Sequence, residues 1–188
     1  MSLNIRPFDF REYAKEHLAY EANTFAAARD LFFQRVRLEQ TVSREMMLVG
    51  EACLLHFRNL LDFFYPAQMR DDDVTAANYV PGWNHQISPD LEKLRTRTNK
   101  ELAHLTRRRI DGLAPEKSWD FGDMSVKLTP VIEEFIKLAA PHKRLPEEAI
   151  TAFRMITGTR SVTFKVAQTA SFNSSVTSVI PGAERPPR

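Results

Sequence analysis

The stretch VSREMMLVGEACLLHFRNLLDFFY, from Val42 to Tyr65, limits what this chain can fold into more than any other. Wound at about 100° per residue, Val42, Met46, Val49, Cys53, Phe57, Leu60 and Phe64 fall on one stripe. Met47, Leu54 and Leu61 widen it, and Leu48 and Leu55 make the far side apolar too. Only Arg44, Glu51, Arg58 and Asp62 form a narrow charged strip. A helix apolar nearly all round belongs in the middle of a bundle, with neighbours on several sides. His56 and Asn59 are polar yet fall among these apolar positions, about one turn apart, and so mark a candidate polar site.

The flanking segments read as helices as well. Phe10, Ala14, Leu18, Phe25, Ala28, Phe32 and Val36 make one face of a long helix over about 9–39, alone or as two in series. His17, Glu21 and Arg35 lie on or beside that face. They pack by their stems at its rim, or else His17 and Glu21, at i and i+4, join a buried polar cluster. A short turn near Gln40 to Ser43 predicts a helical hairpin with the central helix, which ends before Pro66. The connection from Pro66 to Ile87 is long. Its Tyr79 and Trp83 predict that it packs on the bundle, and its Asp71 to Asp73 triplet reads as a solvated turn without a calcium-loop pattern.

Ser88-Pro89-Asp90 is a helix start, with a serine cap, a proline and then an acid at the positive end. This helix is expected to run to about Arg108 on a stripe of Leu91, Leu94, Thr98, Leu102 and Leu105. Seven Lys or Arg against three acids over 90–109 make it the basic element of the chain. A last long helix spans roughly Ser118 to Ala140, kinked at Pro130 with its apolar stripe continuing in phase. The expectation is an all-α, four-helix-type bundle over 1–145 and a C-terminal extension over 146–188, largely flexible. Within the extension, Pro146 to Met155 reads as a short helix and Ser161 to Val166 alternates like a strand. The remainder is rich in Ser, Thr, Pro and Gly.

Composition excludes some classes of function. A net charge of +2 does not by itself argue for nucleic acid. One cysteine, Cys53, allows no disulfide within the chain, which fits a reducing compartment. The N-terminus lacks the apolar run of a secretory signal, and no long apolar run spans a membrane, so a cytoplasmic protein is expected. The five histidines never pair at i, i+3 or i, i+4, and no metal or cofactor is predicted. Cys53 lies on a core face, which argues against a nucleophilic thiol.

What remains is a constellation of His56, Arg58, Asn59 and Asp62 on the central helix with Arg97, Asn99, Lys100, His104 and Arg108 on the basic one. The segments HFRNLLDFFY, DDDVTAANYVPGW and RTNKELAHLTRRR together resemble an uncharacterised bacterial family of small helical proteins related to HEPN domains, over roughly residues 9–140. That resemblance implies a helical bundle, often a homodimer, and either a metal-independent ribonuclease or a non-catalytic binding domain. It implies that Arg97 holds a phosphate and that His104, with six residues between the two, moves the proton of a ribose hydroxyl. Asn99, Lys100 and Arg108 would then position RNA, with His56, Arg58 and Asn59 as further binding residues. Arg97 and His104 lie two turns apart on one face, about 10 Å along the axis, so the implied site is shared across a dimer. Thr98 stands where catalytic relatives carry Asn, Asp or His.

Three readings follow. One is an RNA-cleaving domain of a defence or toxin–antitoxin kind. The second is a non-catalytic module for a protein partner or a nucleotide, and the third a small-molecule bundle with a pocket lined by His56 and Asn59.

Overall fold

The computed structural model describes residues 8–39, 43–103 and 119–158. It is all-α, and among the described residues there is no strand. The chain opens on α1, Phe10–Tyr13, capped by the Asp9 carboxylate, which accepts from the backbone N–H of Arg11 and of Glu12. A π-helical turn, Ala14–Leu18, passes without a break into α2, Ala19–Glu39. The structure thus has one helix over 10–39, with a wider turn near its start.

The hairpin expected from the short turn is present. Helix α3, Arg44–Phe64, begins on a Ser43 cap that accepts from Met46 N–H. It runs antiparallel to α2: Phe32 lies beside Gly50, Phe25 beside Phe57, and Glu21 bonds His56 and Asn59. The loop after α3 packs on the bundle, as Tyr79 and Trp83 predict. Its short helix α4, Ala76–Tyr79, starts on a Thr75–Asn78 capping box. The Tyr79 hydroxyl donates to the Phe10 carbonyl and the Trp83 indole to the Phe64 carbonyl. Gly82 takes φ 80°, which the Pro81-Gly82 turn needs.

Helix α5, Pro89–Thr98, has the expected Ser88 cap and first-turn proline, then continues as a π segment, Asn99–Ala103. Helix α6, Phe121–Ala139, starts on Asp120 and stays one helix through Pro130. The ring's missing N–H leaves the Val126 carbonyl on an exposed side of the helix. A 3-10 turn, Ala140–His142, leads to α7, Glu147–Thr157.

Two expectations change. The bundle does not end at residue 145. Helix α7 packs along α2 and on α6 and buries Ala149, Ala152, Phe153 and Ile156, so the domain extends past that boundary. Ala149, Ala152, Phe153 and Ile156 recur at helical spacing, and only the prolines before them suggested an end. Residues 159–188, including Ser161 to Val166, lie outside the described residues. The expectation for α3 holds in part: it has neighbours on several sides, α2, α5, the π segment after α5 and α6, but one side of it is open. Leu48 and Leu55 are exposed, at 59% and 45%, and α2 has the heavily packed neighbours, α3 on one side and α7 on the other. The alanines of α2, Ala22, Ala26 and Ala28, are buried and let these neighbours come close, a role that a scale of side-chain hydrophobicity understates.

The core is aromatic. Phe135 of α6 meets Phe63, Phe64, Tyr79, Trp83 and Phe153, with ring centroids 5.4–6.1 Å apart. All five pairs are edge-to-face, the arrangement that the ring quadrupoles favour.

Candidate functional site

The polar side chains fall into two groups, on either side of α2. On the α7 side is Arg29, which is 1% exposed. Its guanidinium donates to Asp30 Oδ1 at 2.8 Å, Ser125 Oγ at 2.8 Å, and the carbonyls of Met155 and Ile156 at 3.1 and 3.2 Å. Those carbonyls are in the last turn of α7, where the helix dipole favours a cation. Arg29 therefore ties α2 to α6 and to the end of α7. The sequence reading missed it. The available signal was an arginine between Phe25 and Phe32 on the apolar face of the first helix.

On the other side, His56 and Asn59 meet Glu21. Glu21 Oε2 lies 2.7 Å from His56 Nδ1 and accepts from Asn59 Nδ2 at 3.0 Å. A carboxylate only accepts, so Nδ1 of His56 carries the proton in this contact. The Tyr20 ring stands edge-on to the imidazole at 5.4 Å. Of the two readings of Glu21, the buried cluster is the one that forms. Its partners are on α3, whereas His17 is exposed and lies against Tyr13, ring centroids 4.8 Å apart.

Beside this cluster a cleft of about 660 Å³ opens between the start of the 10–39 helix, α3, the loop after Pro66 and Asn99. Tyr13, His17 and Glu21 form one wall, and Arg58, Asn59 and Asp62 another. Arg70, Asp72 and Asp73 close it from the loop. Both π-helical segments border it, through His17 and Leu18 of the first and Asn99 of the second. Such turns widen a helix and re-aim its side chains, and they are frequent at functional sites.

Two polar atoms in this wall, Arg58 Nε and Asn99 Oδ1, are buried with no hydrogen-bond partner among the described residues. Arg58 Nε stands 3.8 Å from Asp62 Oδ2, an ion pair without a hydrogen bond. Burial raises the Asp62 carboxyl above its ordinary range; Arg58 and Arg95 pull it down, and Asp73 adds to the rise. The Tyr13 hydroxyl is raised too, first by burial and then by the charge of Glu21.

The other expected site residues lie elsewhere. Arg97 does not face this cleft. Its Nε donates to both carboxylate oxygens of Glu101, at 3.1 and 3.0 Å, and its guanidinium carbon lies 3.8 Å from the centre of the Trp119 ring. Lys100 is exposed. His104 and Arg108 lie outside the described residues. His56 sits behind Glu21 and does not line the cleft, so its part is to hold that carboxylate. Sequence reading did not connect Asp62, Asp72 and Asp73 to one site, since only the fold brings the loop to α3. Cys53 is fully buried and its thiol is pushed up by that burial, as befits a core residue.

The fold and the cleft define an all-helical protein with a built polar recess at one end. No protein-family model, curated protein or solved structure matches this chain. No helix among the described residues is long and apolar enough to cross a membrane.

Proposed function

We propose that this chain is a non-catalytic helical binding module whose recognition site is the cleft between the 10–39 helix, α3 and the loop after Pro66. The observation that carries this reading is the pair Arg58 Nε and Asn99 Oδ1, one donor and one acceptor of cleft-lining residues, both buried with no hydrogen bond among the described residues. An unanswered buried polar group costs about 1–3 kcal/mol, and a ligand that answers it recovers that free energy on binding. The cleft has the size of small-molecule sites, which run from about 300 to 1,000 Å³.

The HEPN-like nuclease reading asks Arg97 to clamp a phosphate. The engagement of Arg97 by Glu101 and Trp119 weighs against that. Total RNA incubated with the full chain in excess EDTA, beside His104→Ala, separates the two readings. Intact RNA with both proteins is expected, whereas cleavage that the substitution removes returns the nuclease. A panel of amines, amino acids, nucleotides and organic acids, read by thermal shift, then tests the cleft. Stabilisation by one class is expected, about 2–3 kcal/mol at a ligand concentration about 100 times its Kd. It should be lost in Asn99→Leu. A flat response across the panel overturns the reading.

A further inference from the structure

Among the described residues, four carboxylates border the cleft, Glu21, Asp62, Asp72 and Asp73, against two arginines, Arg58 and Arg70. Those residues sum to a formal charge of −2, while the whole chain is +2. A phosphate or a polynucleotide strand entering this recess meets net repulsion, and a cation meets attraction. The unanswered acceptor Asn99 Oδ1 asks for an N–H or O–H donor. The paired rings of Tyr13 and His17 add aromatic surface at the same opening, which suits a cation over the tyrosine face. Among the described residues no three His, Cys, Asp or Glu side chains converge as a metal ion requires. Carboxylates that do not converge suit an organic cation better than a metal ion. Arg58 Nε adds one unanswered donor to the same wall, so an acceptor oxygen belongs on the occupant as well.

Resting on the cleft as the recognition site, we infer that its occupant is an organic cation, an ammonium or guanidinium group with several N–H donors, carrying an acceptor oxygen nearby as a basic amino acid does. Asp62 and Asp72 meet the cation, Asn99 Oδ1 takes one of its donors, and Arg58 Nε donates to the oxygen. Glu21 is already held by His56 and Asn59 and shapes the wall.

The test is calorimetric titration of the full chain with L-arginine, L-lysine, acetyl-arginine amide, spermidine and AMP. It is repeated on a double variant, Asp62→Asn with Asp72→Asn, and on Asn99→Leu. Asp62 is lifted by burial and Asp72 is exposed, so the amides are expected to fold as well as the carboxylates, which circular dichroism checks. The expected result is binding of arginine or lysine, weakened at least tenfold in the double variant and also weakened in Asn99→Leu. Equal binding of acetyl-arginine amide assigns the cation to a side chain of a polypeptide; loss of binding in the blocked form assigns it to a free amino acid. Binding of AMP with no response to any cation overturns this inference and leaves the cleft standing as a recognition site. Cation binding that is unchanged in the double variant places the site elsewhere and overturns it. Silence from every probe overturns it, and the wider panel above decides whether the cleft reading fails too.

Discussion

Helix α3 serves two regions of opposite character. One side sends Phe57, Leu60 and Phe64, each at most 1% exposed, into a core rich in ring contacts. The other side sends Arg58, Asn59 and Asp62 to a recess where hydrogen-bonding atoms lack partners. Phe63 touches both, packing on Phe135 while it floors the cleft. The core satisfies its own surfaces through close packing, so its residues contribute stability and little else. The cleft does not satisfy its own polar atoms, and a site that awaits a partner is built in that way. The contrast extends to the charged residues. Arg29 is buried with four acceptors, whereas Arg58 Nε makes no hydrogen bond among the described residues.

This contrast is open to test by substitution. Phe135→Ala should have the largest effect, a loss of about 3–5 kcal/mol read by urea denaturation, because five rings lose a neighbour. Phe153→Ala should approach it, and a small effect there would show that α7 does not belong to the core. Arg29→Met should cost about 3 kcal/mol, since it leaves the Met155 and Ile156 carbonyls and Ser125 without their donor. An unchanged midpoint would mean that α7 docks without this tie. His56→Ala should cost about 1–3 kcal/mol by removing one of the two partners of Glu21. Combined with Asn59→Leu, the loss should depart from additivity, as for groups sharing one carboxylate.

The cleft residues should behave in the opposite way. Burial raises the carboxyl of Asp62, so the folded state favours its protonated form. The stability that this proton contributes is full below the ordinary carboxylate range, near pH 4, and is lost as pH rises through the raised value. Asp62→Asn is therefore expected to raise Tm at neutral pH by about 1 °C, because the half-exposed group is screened by water. That gain should vanish in acid, and a gain independent of pH would refute the assignment. Smallest of all, Asn99→Leu should leave the stability within about 0.5 kcal/mol, since Oδ1 has no hydrogen bond among the described residues to lose.

Much of the local structure was legible in the chain itself. The caps Ser43 and Ser88, the end of α3 before Pro66, the passage of α6 through Pro130 and the docking of Tyr79 and Trp83 follow from short-range chemistry. A cap or a proline acts on its own turn, so neighbours in sequence suffice to find it. The same holds for His56 and Asn59, which stand out on an apolar helix, and for Glu21 as a candidate to join them.

Other features needed the tertiary structure. That Leu48 and Leu55 face outward and that α2 packs between α3 and α7 was not legible, because bulk apolar residues weigh more in a pattern than alanines, although alanines let helices approach. The place of α7 and the role of Arg29 depend on residues about 126 positions apart. The cleft joins the first helix, α3, an acidic loop and Asn99, four segments with no shared periodicity. The sequence by itself determined the helices and the candidate polar positions, because hydrophobic spacing, caps and prolines act within a few residues. Only the tertiary structure decided which carboxylate meets which histidine and which polar atoms go unanswered, because charge and hydrogen bonding act through space between segments distant in the chain.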